Sequence, residues 1–144
     1  MPRKQIKLPR HVRNYLRKEI CDYEANIEYL KQLEDDILYS SGSNDGQPRG
    51  NKTGDSTAAK AEKLITSRAI LIVTDKISKI KRALDKLSED EYKDVEKIFF
   101  QRHSQAYAEI HDNISKDMYY DIMNKMIYLT AIEYGEIWRE PKND

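Results

Sequence analysis

Cysteine, long apolar runs and export signals are scarce or missing in this chain. Among its 144 residues the single cysteine, Cys21, can form no intrachain disulfide. No apolar run approaches the ~20 residues needed to cross a bilayer, and the basic start MPRKQIKLPR lacks the apolar core of a secretory signal. These absences predict a soluble, cytoplasmic protein with no membrane partner.

The residue patterns of enzymes are missing as well. His11, His103 and His111 lack metal-ligand spacing, and there is no nucleophile motif and no strand-based nucleotide fingerprint. The glycine-rich stretch at residues 40–56 contains a Lys-Thr pair, but not in the order of a phosphate-cradling loop. We therefore expect a protein that is not an enzyme and that holds no metal and no cofactor.

Charge is balanced in total but not along the chain. Residues 1–18 hold seven Lys or Arg and no acid, so the other 126 residues have a net charge of −7. A basic N-terminal arm that runs into the first helix could hold phosphates, because cationic side chains displace counterions from nucleic acid. The predicted phosphate contacts of this arm are Arg3, Lys4, Arg10 and Arg13. A solubilising tail is the alternative.

Two long helices are predicted before residue 88, at about residues 12–39 and 58–87, because apolar residues recur there three and four apart. The second contains a heptad seam at residues 70–87, formed by Ile70, Val73, Ile77, Ile80, Leu84 and Leu87. Residues 40–56 hold four of the five glycines and predict a mobile linker between the helices. The seam either folds back on the first helix as a hairpin with coiled-coil packing or pairs with a second copy in a homodimer.

Residues 88–136 predict a compact three-helix unit. Ser88 and Glu91 form a capping box that begins its first helix. The buried stripe of that helix is predicted to be Tyr92, Val95, Ile98 and Phe99, with Phe100 at its end. Gly135 is in the position of a helix-terminating glycine, and a frayed tail follows at residues 137–144. The predicted fold class is therefore all-α, a helical hairpin followed by a three-helix unit.

Within this unit, residues 104–134 have the outline of a helix-turn-helix. A short helix is followed by a break at residues 113–115 and by a second helix with Ser115 as its N-cap. The buried face of the second helix is predicted to hold Tyr119, Ile122, Met123, Met126, Ile127, Thr130, Ala131 and Tyr134. The opposite face shows Lys116, Asp117, Tyr120, Asp121 and Asn124. The same spacing also fits an ordinary corner between two helices.

Three segments of the chain resemble the RinA family of phage late-gene transcriptional regulators. They are DYEANIEYLKQLEDDILYSSGSNDGQPRG at residues 22–50, GDSTAAKAEKLIT at residues 54–66 and ISKDMYYDIMNKMIYLTAIEYGEI at residues 114–137. The DGQPRG loop is the most distinctive of these motifs, and the resemblance covers about residues 15–136. Asp112 stands where the family pattern has Leu, and Asp117 and Asp121 stand in a helix that is usually basic.

The resemblance implies a helix-turn-helix similar to region 4 of sigma factors, which binds double-stranded promoter DNA and contacts host RNA polymerase. It also implies a nucleoid-associated location in the cytoplasm of a bacterial host. Lys116, Tyr119 and Tyr120 match the family pattern in the recognition helix. From chemistry, Asn124 can pair with adenine, Lys116 can reach guanine or phosphate, and Tyr120 can reach phosphate or stack. Ser115 and Lys125 complete the predicted DNA-binding set.

Two other functions are consistent with the sequence. The acidic residues of the second helix, and the net acidic character of residues 19–144, favour a helical module that binds a protein partner such as polymerase, with DNA binding weak or lost. A small DNA-packaging adaptor also combines a helix-turn-helix with a coiled coil. Steep salt dependence distinguishes DNA binding from apolar partner binding.

Overall fold

The structure, a computed structural model, describes residues 7–42 and 53–136, with side chains described at residues 7–38 and 58–136. All regular structure in these residues is helical, which confirms the all-α class. The elements are α1 (Arg10–Cys21), α2 (Tyr23–Gly42), α3 (Thr53–Leu84), α4 (Glu89–Val95), a π-helical turn (Glu96–Phe100), α5 (Gln105–His111) and α6 (Lys116–Glu133). Arg3, Lys4 and the predicted tail at residues 137–144 lie outside the described residues.

The chain divides into two compact units, and the first, residues 1–24 with 78–144, contains the main core. We call this unit the helical domain. Its core residues are Leu16, Ile20, Ile80, Ala83, Leu84, Val95, Ile98, Phe99, Ala108, Ile114, Tyr119, Met123, Met126, Ile127 and Ala131. The core thus includes α1 and the end of α3, whereas the predicted helix-turn-helix domain began at residue 88. α1 and α3 therefore supply apolar surface that the small unit at residues 88–136 buries against.

The capping box at the start of α4 is confirmed. The Ser88 side chain accepts from the Glu91 N–H at 3.2 Å, and the Glu91 carboxylate accepts from the Ser88 N–H at 2.9 Å. Val95, Ile98 and Phe99 are buried as predicted, whereas Tyr92 is exposed and Phe100 is half-buried. The wider π-helical turn, in which the Gln101 N–H donates to the Glu96 carbonyl, shifts the helical register at Phe100. Tyr92 precedes this turn and lies near the start of α4, where residues 89 and 90 are exposed as well.

The turn between α5 and α6 lies where the sequence predicts it. Asn113 has a φ of 56°, a left-handed conformation that Asn tolerates better than most residues. The chain reversal buries Ile114, whose N–H donates to the Ala108 carbonyl at 3.1 Å. The Ser115 hydroxyl then accepts from the Met118 N–H at 3.2 Å, which confirms the predicted N-cap. The two helices pack against each other within the core.

The far end of α6 also follows its sequence signal. Gly135 has a φ of 75°, and its N–H donates to the Ile132 carbonyl. The Glu136 N–H donates to the Ala131 carbonyl, which completes a Schellman motif. Six of the eight residues predicted to form the buried face of α6 are buried, and Ile122 and Tyr134 are half-buried.

The second unit, residues 25–77, holds most of α2 and α3. Leu33 and Val73 are buried in this unit, and Ile70 and Ile77 are half-buried. The heptad spacing therefore identifies the inward face of α3. The predicted hairpin is not confirmed, because α2 and α3 are not among the pairs of described elements that pack closely.

The C-terminal end of the heptad seam is buried within the same chain. Ile80 is 1% exposed and Leu84 is 4% exposed, and both belong to the core of the helical domain. Side chains buried in the core cannot also pack against a second copy. The predicted homodimer through residues 70–87 is therefore unsupported.

Several helix boundaries differ from the predicted ones. The first long helix is interrupted at Asp22, which has φ −86° and ψ 0° and separates α1 from α2. At the predicted linker, α2 continues to Gly42 and α3 begins at Thr53, and the rest of the linker, residues 43–52, lies outside the described residues. α3 ends at Leu84, where the Leu87 N–H donates to the Leu84 carbonyl in a tight turn. No helix in the described part of the chain is long and apolar enough to cross a membrane.

Candidate nucleic-acid interface

The predicted contact face of α6 is exposed. Lys116, Asp117, Tyr120, Asp121 and Asn124 are all exposed, and they lie in the N-terminal half of the helix. Tyr120 is 45% exposed and its ring packs edge-to-face against that of Tyr119, with centroids 5.4 Å apart. The face therefore offers a cation, an aromatic hydroxyl and an amide, with two carboxylates among them.

Asn124 is held by a residue of the first helix. The Arg13 guanidinium donates to the Asn124 side-chain oxygen at 2.6 Å, although the two residues are 111 positions apart. A bidentate contact with adenine needs this same oxygen as an acceptor of the adenine amino group. An amide oxygen has two lone pairs, so Asn124 can accept from Arg13 and from adenine together, and Arg13 then lies beside the base that Asn124 reads.

The predicted basic arm is partly a helix. Arg10 and Arg13 belong to α1, as do Arg17 and Lys18, while Arg3 and Lys4 are not described. Arg10, Arg13 and Arg17 lie three and four residues apart and so share one face of α1. Arg13 contacts α6 at Asn124, and the positive charge of Arg17 acts on the Tyr119 hydroxyl. α1 therefore carries its basic face along α6.

Tyr119 does not reach the exposed face. It is 4% exposed, and its hydroxyl donates to the His103 carbonyl at 2.8 Å. Burial raises the pKa of this hydroxyl above the ordinary tyrosine value. The predicted DNA contact by Tyr119 does not fit this placement, because the side chain is already enclosed between α6 and the loop before α5.

Two other predicted contacts are used within the fold. The Ser115 hydroxyl caps α6, and the Lys125 ammonium donates to the Glu91 carboxylate at 2.6 Å. Glu91 also closes the capping box of α4, so this carboxylate joins the start of α4 to the middle of α6. The hydrogen bond from Lys125, with that from the Ser88 N–H, lowers the pKa of Glu91.

Asp112 has a specific partner in place of the apolar contact that the RinA pattern would supply. Its carboxylate lies 2.6 Å from the His103 Nδ1, and its side chain is only 9% exposed. The His103 ring packs against Tyr107 and the Tyr107 ring against His111, with centroids 4.5 and 4.2 Å apart. The end of α5 is thus tied to the segment that precedes it, which accommodates an acid at this position.

Sequence reasoning counted Arg17 and Lys18 in the basic arm without predicting contacts for them, and it did not single out Arg102. The spacing of Arg17 from Arg10 and Arg13 is a signal that a helical-face analysis of residues 10–18 could have found. Arg102 has no such signal, because the π-helical turn and the folded core place it beside α1. In the described residues, no group of three or more His, Cys, Asp or Glu side chains could hold a metal ion.

Comparison of the chain with protein-family models, with curated proteins and with solved structures finds no match.

Acidification is expected to weaken the tie between α4 and α6. The pKa of Glu91 is lowered in the folded protein, so its contribution to stability is present above the ordinary value of 4.5 and is lost as pH falls through the folded value. Glu91→Gln keeps a capping-box residue but removes the charge that pairs with Lys125. Because this pair is partly exposed, we expect the variant to lose about 0.2–1 kcal/mol at about pH 7 and less at about pH 3.

Urea unfolding followed by circular dichroism at both pH values measures this difference. Glu28→Gln, which removes an exposed carboxylate of α2, is the control. Equal losses for Glu91→Gln at the two pH values would mean that the carboxylate charge contributes nothing to the tie.

Proposed function

We propose that this protein is a non-enzymatic transcriptional activator of the phage type, which binds promoter DNA by placing the N-terminal part of α6 in the major groove. The observation that carries the proposal is the basic face of α1 lying beside the exposed face of α6, joined by the contact between Arg13 and Asn124. A recognition helix needs base-reading side chains with phosphate contacts at its flank. Lys116, Tyr120 and Asn124 would supply the first, and Arg10, Arg13 and Arg17 the second.

The resemblance to RinA regulators gives this proposal its biological setting. Contact with host RNA polymerase and a nucleoid-associated location in the bacterial cytoplasm are part of the same proposal. A hairpin formed by α2 and α3 would be available for the polymerase contact, since the predicted DNA-binding residues lie on α1 and α6.

A second candidate function is favoured by a specific observation. Leu64, Ile65, Leu71 and Ile72 are between 57% and 70% exposed on α3. These apolar side chains fit a module that binds a protein partner, as part of transcription or of DNA packaging. Asp117 and Asp121 on the exposed face of α6 also favour a protein partner, because their charge repels DNA phosphates. A DNA-packaging adaptor would form ring-like oligomers, which light scattering would detect.

Selection of bound duplexes from a randomised pool separates these functions. The full-length protein is incubated with the pool at about 50 and about 200 mM salt in the presence of competitor DNA, and retained duplexes are sequenced. We expect one motif to be enriched at both salt concentrations. Two results would contradict a sequence-specific regulator and would favour the partner-binding module. In the first, duplexes are retained without an enriched motif and the retention is lost at the higher salt. In the second, no duplex is retained.

A further inference from the structure

A cleft beside α6 is lined by more positive charge than the exposed face itself. It has a volume of about 600 Å³ and lies between α1, the loop that follows the π-helical turn and the start of α6. Its polar lining includes Arg17, Lys18, Arg102, His103 and Ser104. All of these residues belong to the helical domain.

The charges of the cleft are unbalanced. Among its lining residues, Arg17, Lys18 and Arg102 face one carboxylate, that of Asp22. Asp22 and Arg102 form a loose ion pair at 3.8 Å, in which the Arg102 side chain stays 68% exposed. One acid cannot neutralise three permanent cations, so the cleft keeps a net positive charge of about two.

The positive field reaches the inner wall of the cleft. Cys21 lines the cleft, and burial raises the pKa of its thiol above the ordinary value. Arg102 and Arg17 act in the opposite direction on the same thiol. Both guanidinium groups therefore lie close enough to act on the same thiol, although they come from elements that are far apart in sequence.

The backbone at Arg102 is unusual. Its φ of 56° is a left-handed conformation that costs a residue other than glycine free energy. The neighbouring His103 N–H donates to the Lys97 carbonyl, and the His103 carbonyl accepts from the Tyr119 hydroxyl. These bonds end the π-helical turn and fix the backbone of the loop that carries Arg102 at the edge of the cleft.

We propose that this cleft binds a phosphate group. Guanidinium groups match phosphate geometry through paired N–H donors, and the Ser104 and Asn14 side chains offer further polar contacts. Arg17 lies one helical turn after Arg13, which contacts Asn124. The inference rests on the proposed function, in which the phosphate belongs to the DNA backbone that flanks α6. Free phosphate is the other source with the same chemistry.

Cys21 allows occupation of the cleft to be measured directly, because it is the chain's only cysteine. Its alkylation by iodoacetamide, a neutral reagent, is followed in the full-length protein alone, with inorganic phosphate and with a duplex of random sequence. For the unaltered protein and for its Arg102→Gln variant, the alkylation rate with each ligand is divided by the rate without ligand, and the two ratios are compared. We expect the ligand to slow alkylation several-fold in the unaltered protein and to have much less effect in the variant.

The second readout is the salt dependence of duplex binding. Arg17→Gln and Arg102→Gln should each reduce the slope of log affinity against log salt by about 0.9. Arg68→Gln, which removes an exposed arginine of α3, is the charge-matched control and should leave alkylation protection unchanged. Any motif found by selection should be kept by all three variants, because the cleft holds phosphate and reads no base.

The possible outcomes distinguish a DNA phosphate from a free phosphate, and they distinguish failure of the cleft proposal from failure of the proposed function. Arg102-dependent protection by the duplex with reduced slopes supports a backbone phosphate, and Arg102-dependent protection by inorganic phosphate alone supports a free ligand. If the protein binds no DNA, the proposed function fails. The alkylation experiment with inorganic phosphate then still tests whether the cleft binds phosphate. Lack of protection by either ligand, or protection that survives in Arg102→Gln, would overturn the cleft proposal.

Discussion

Ile114→Ala is expected to destabilise the helical domain by about 2–5 kcal/mol, the usual cost of truncating a fully buried Ile. Ile114 is 2% exposed and is the apolar anchor of the turn between α5 and α6. The left-handed Asn113 and the bond from the Ile114 N–H to Ala108 fix the backbone around it, so the surrounding chain cannot easily collapse into the cavity. Urea unfolding followed by circular dichroism measures the loss.

Ile110→Ala provides a matched control in α5, the short helix that precedes the turn. Ile110 is 77% exposed, so its truncation removes little buried area, and alanine has the higher helix propensity. We expect a change within about 0.5 kcal/mol. Similar losses for the two variants would show that Ile114 does not anchor the turn and that α5 is held to α6 by other contacts.

The features that the sequence predicts correctly depend on residues close together in the chain. The Ser88–Glu91 capping box, the Ser115 cap and the Gly135 terminus each involve bonds across three to five residues. The buried face of α6 is likewise a local periodicity, since one helix repeats its orientation every 3.6 residues. Such patterns are decided by backbone geometry and need no knowledge of the rest of the fold.

The features that were missed depend on residues far apart. Arg13 meets Asn124 across 111 positions, and Lys125 meets Glu91 across 34. Nothing in either local sequence shows these pairings, because they arise only when α1, α4 and α6 share a core. The cationic cleft was hidden for the same reason, since Arg102 joins Arg17 only after the π-helical turn has shifted the chain.

Tyr119 illustrates a different difficulty. The spacing of α6 places it on the buried face, while the resemblance to RinA regulators assigns it to the recognition helix, and the two interpretations conflict. The structure agrees with the spacing, because the hydroxyl is enclosed and donates to His103. A residue matched to a family motif therefore still has to be tested against the face of the helix on which it lies.

Lys116 is the residue for which loss of DNA binding and loss of stability should separate most clearly. It is the first residue of α6 and is exposed. A cation there opposes the positive end of the helix dipole, so Lys116→Ala should leave the free energy of unfolding unchanged or raise it by up to about 1 kcal/mol. A variant that folds at least as well as the unaltered protein but binds DNA less tightly has lost a contact.

We expect Lys116→Ala to weaken binding to the selected motif by about 1–3 kcal/mol if Lys116 pairs with a guanine, and to relax the preference at that one base. If Lys116 contacts only a phosphate, affinity should fall equally for all sequences, with a salt slope lower by about one. Fluorescence anisotropy on labelled duplexes over a salt series distinguishes these results. Lys63→Ala, which removes an exposed lysine of α3, is the control. Unchanged affinity and slope in Lys116→Ala would exclude Lys116 from the interface and, because it leads the exposed face of α6, would argue against insertion of that helix into the major groove.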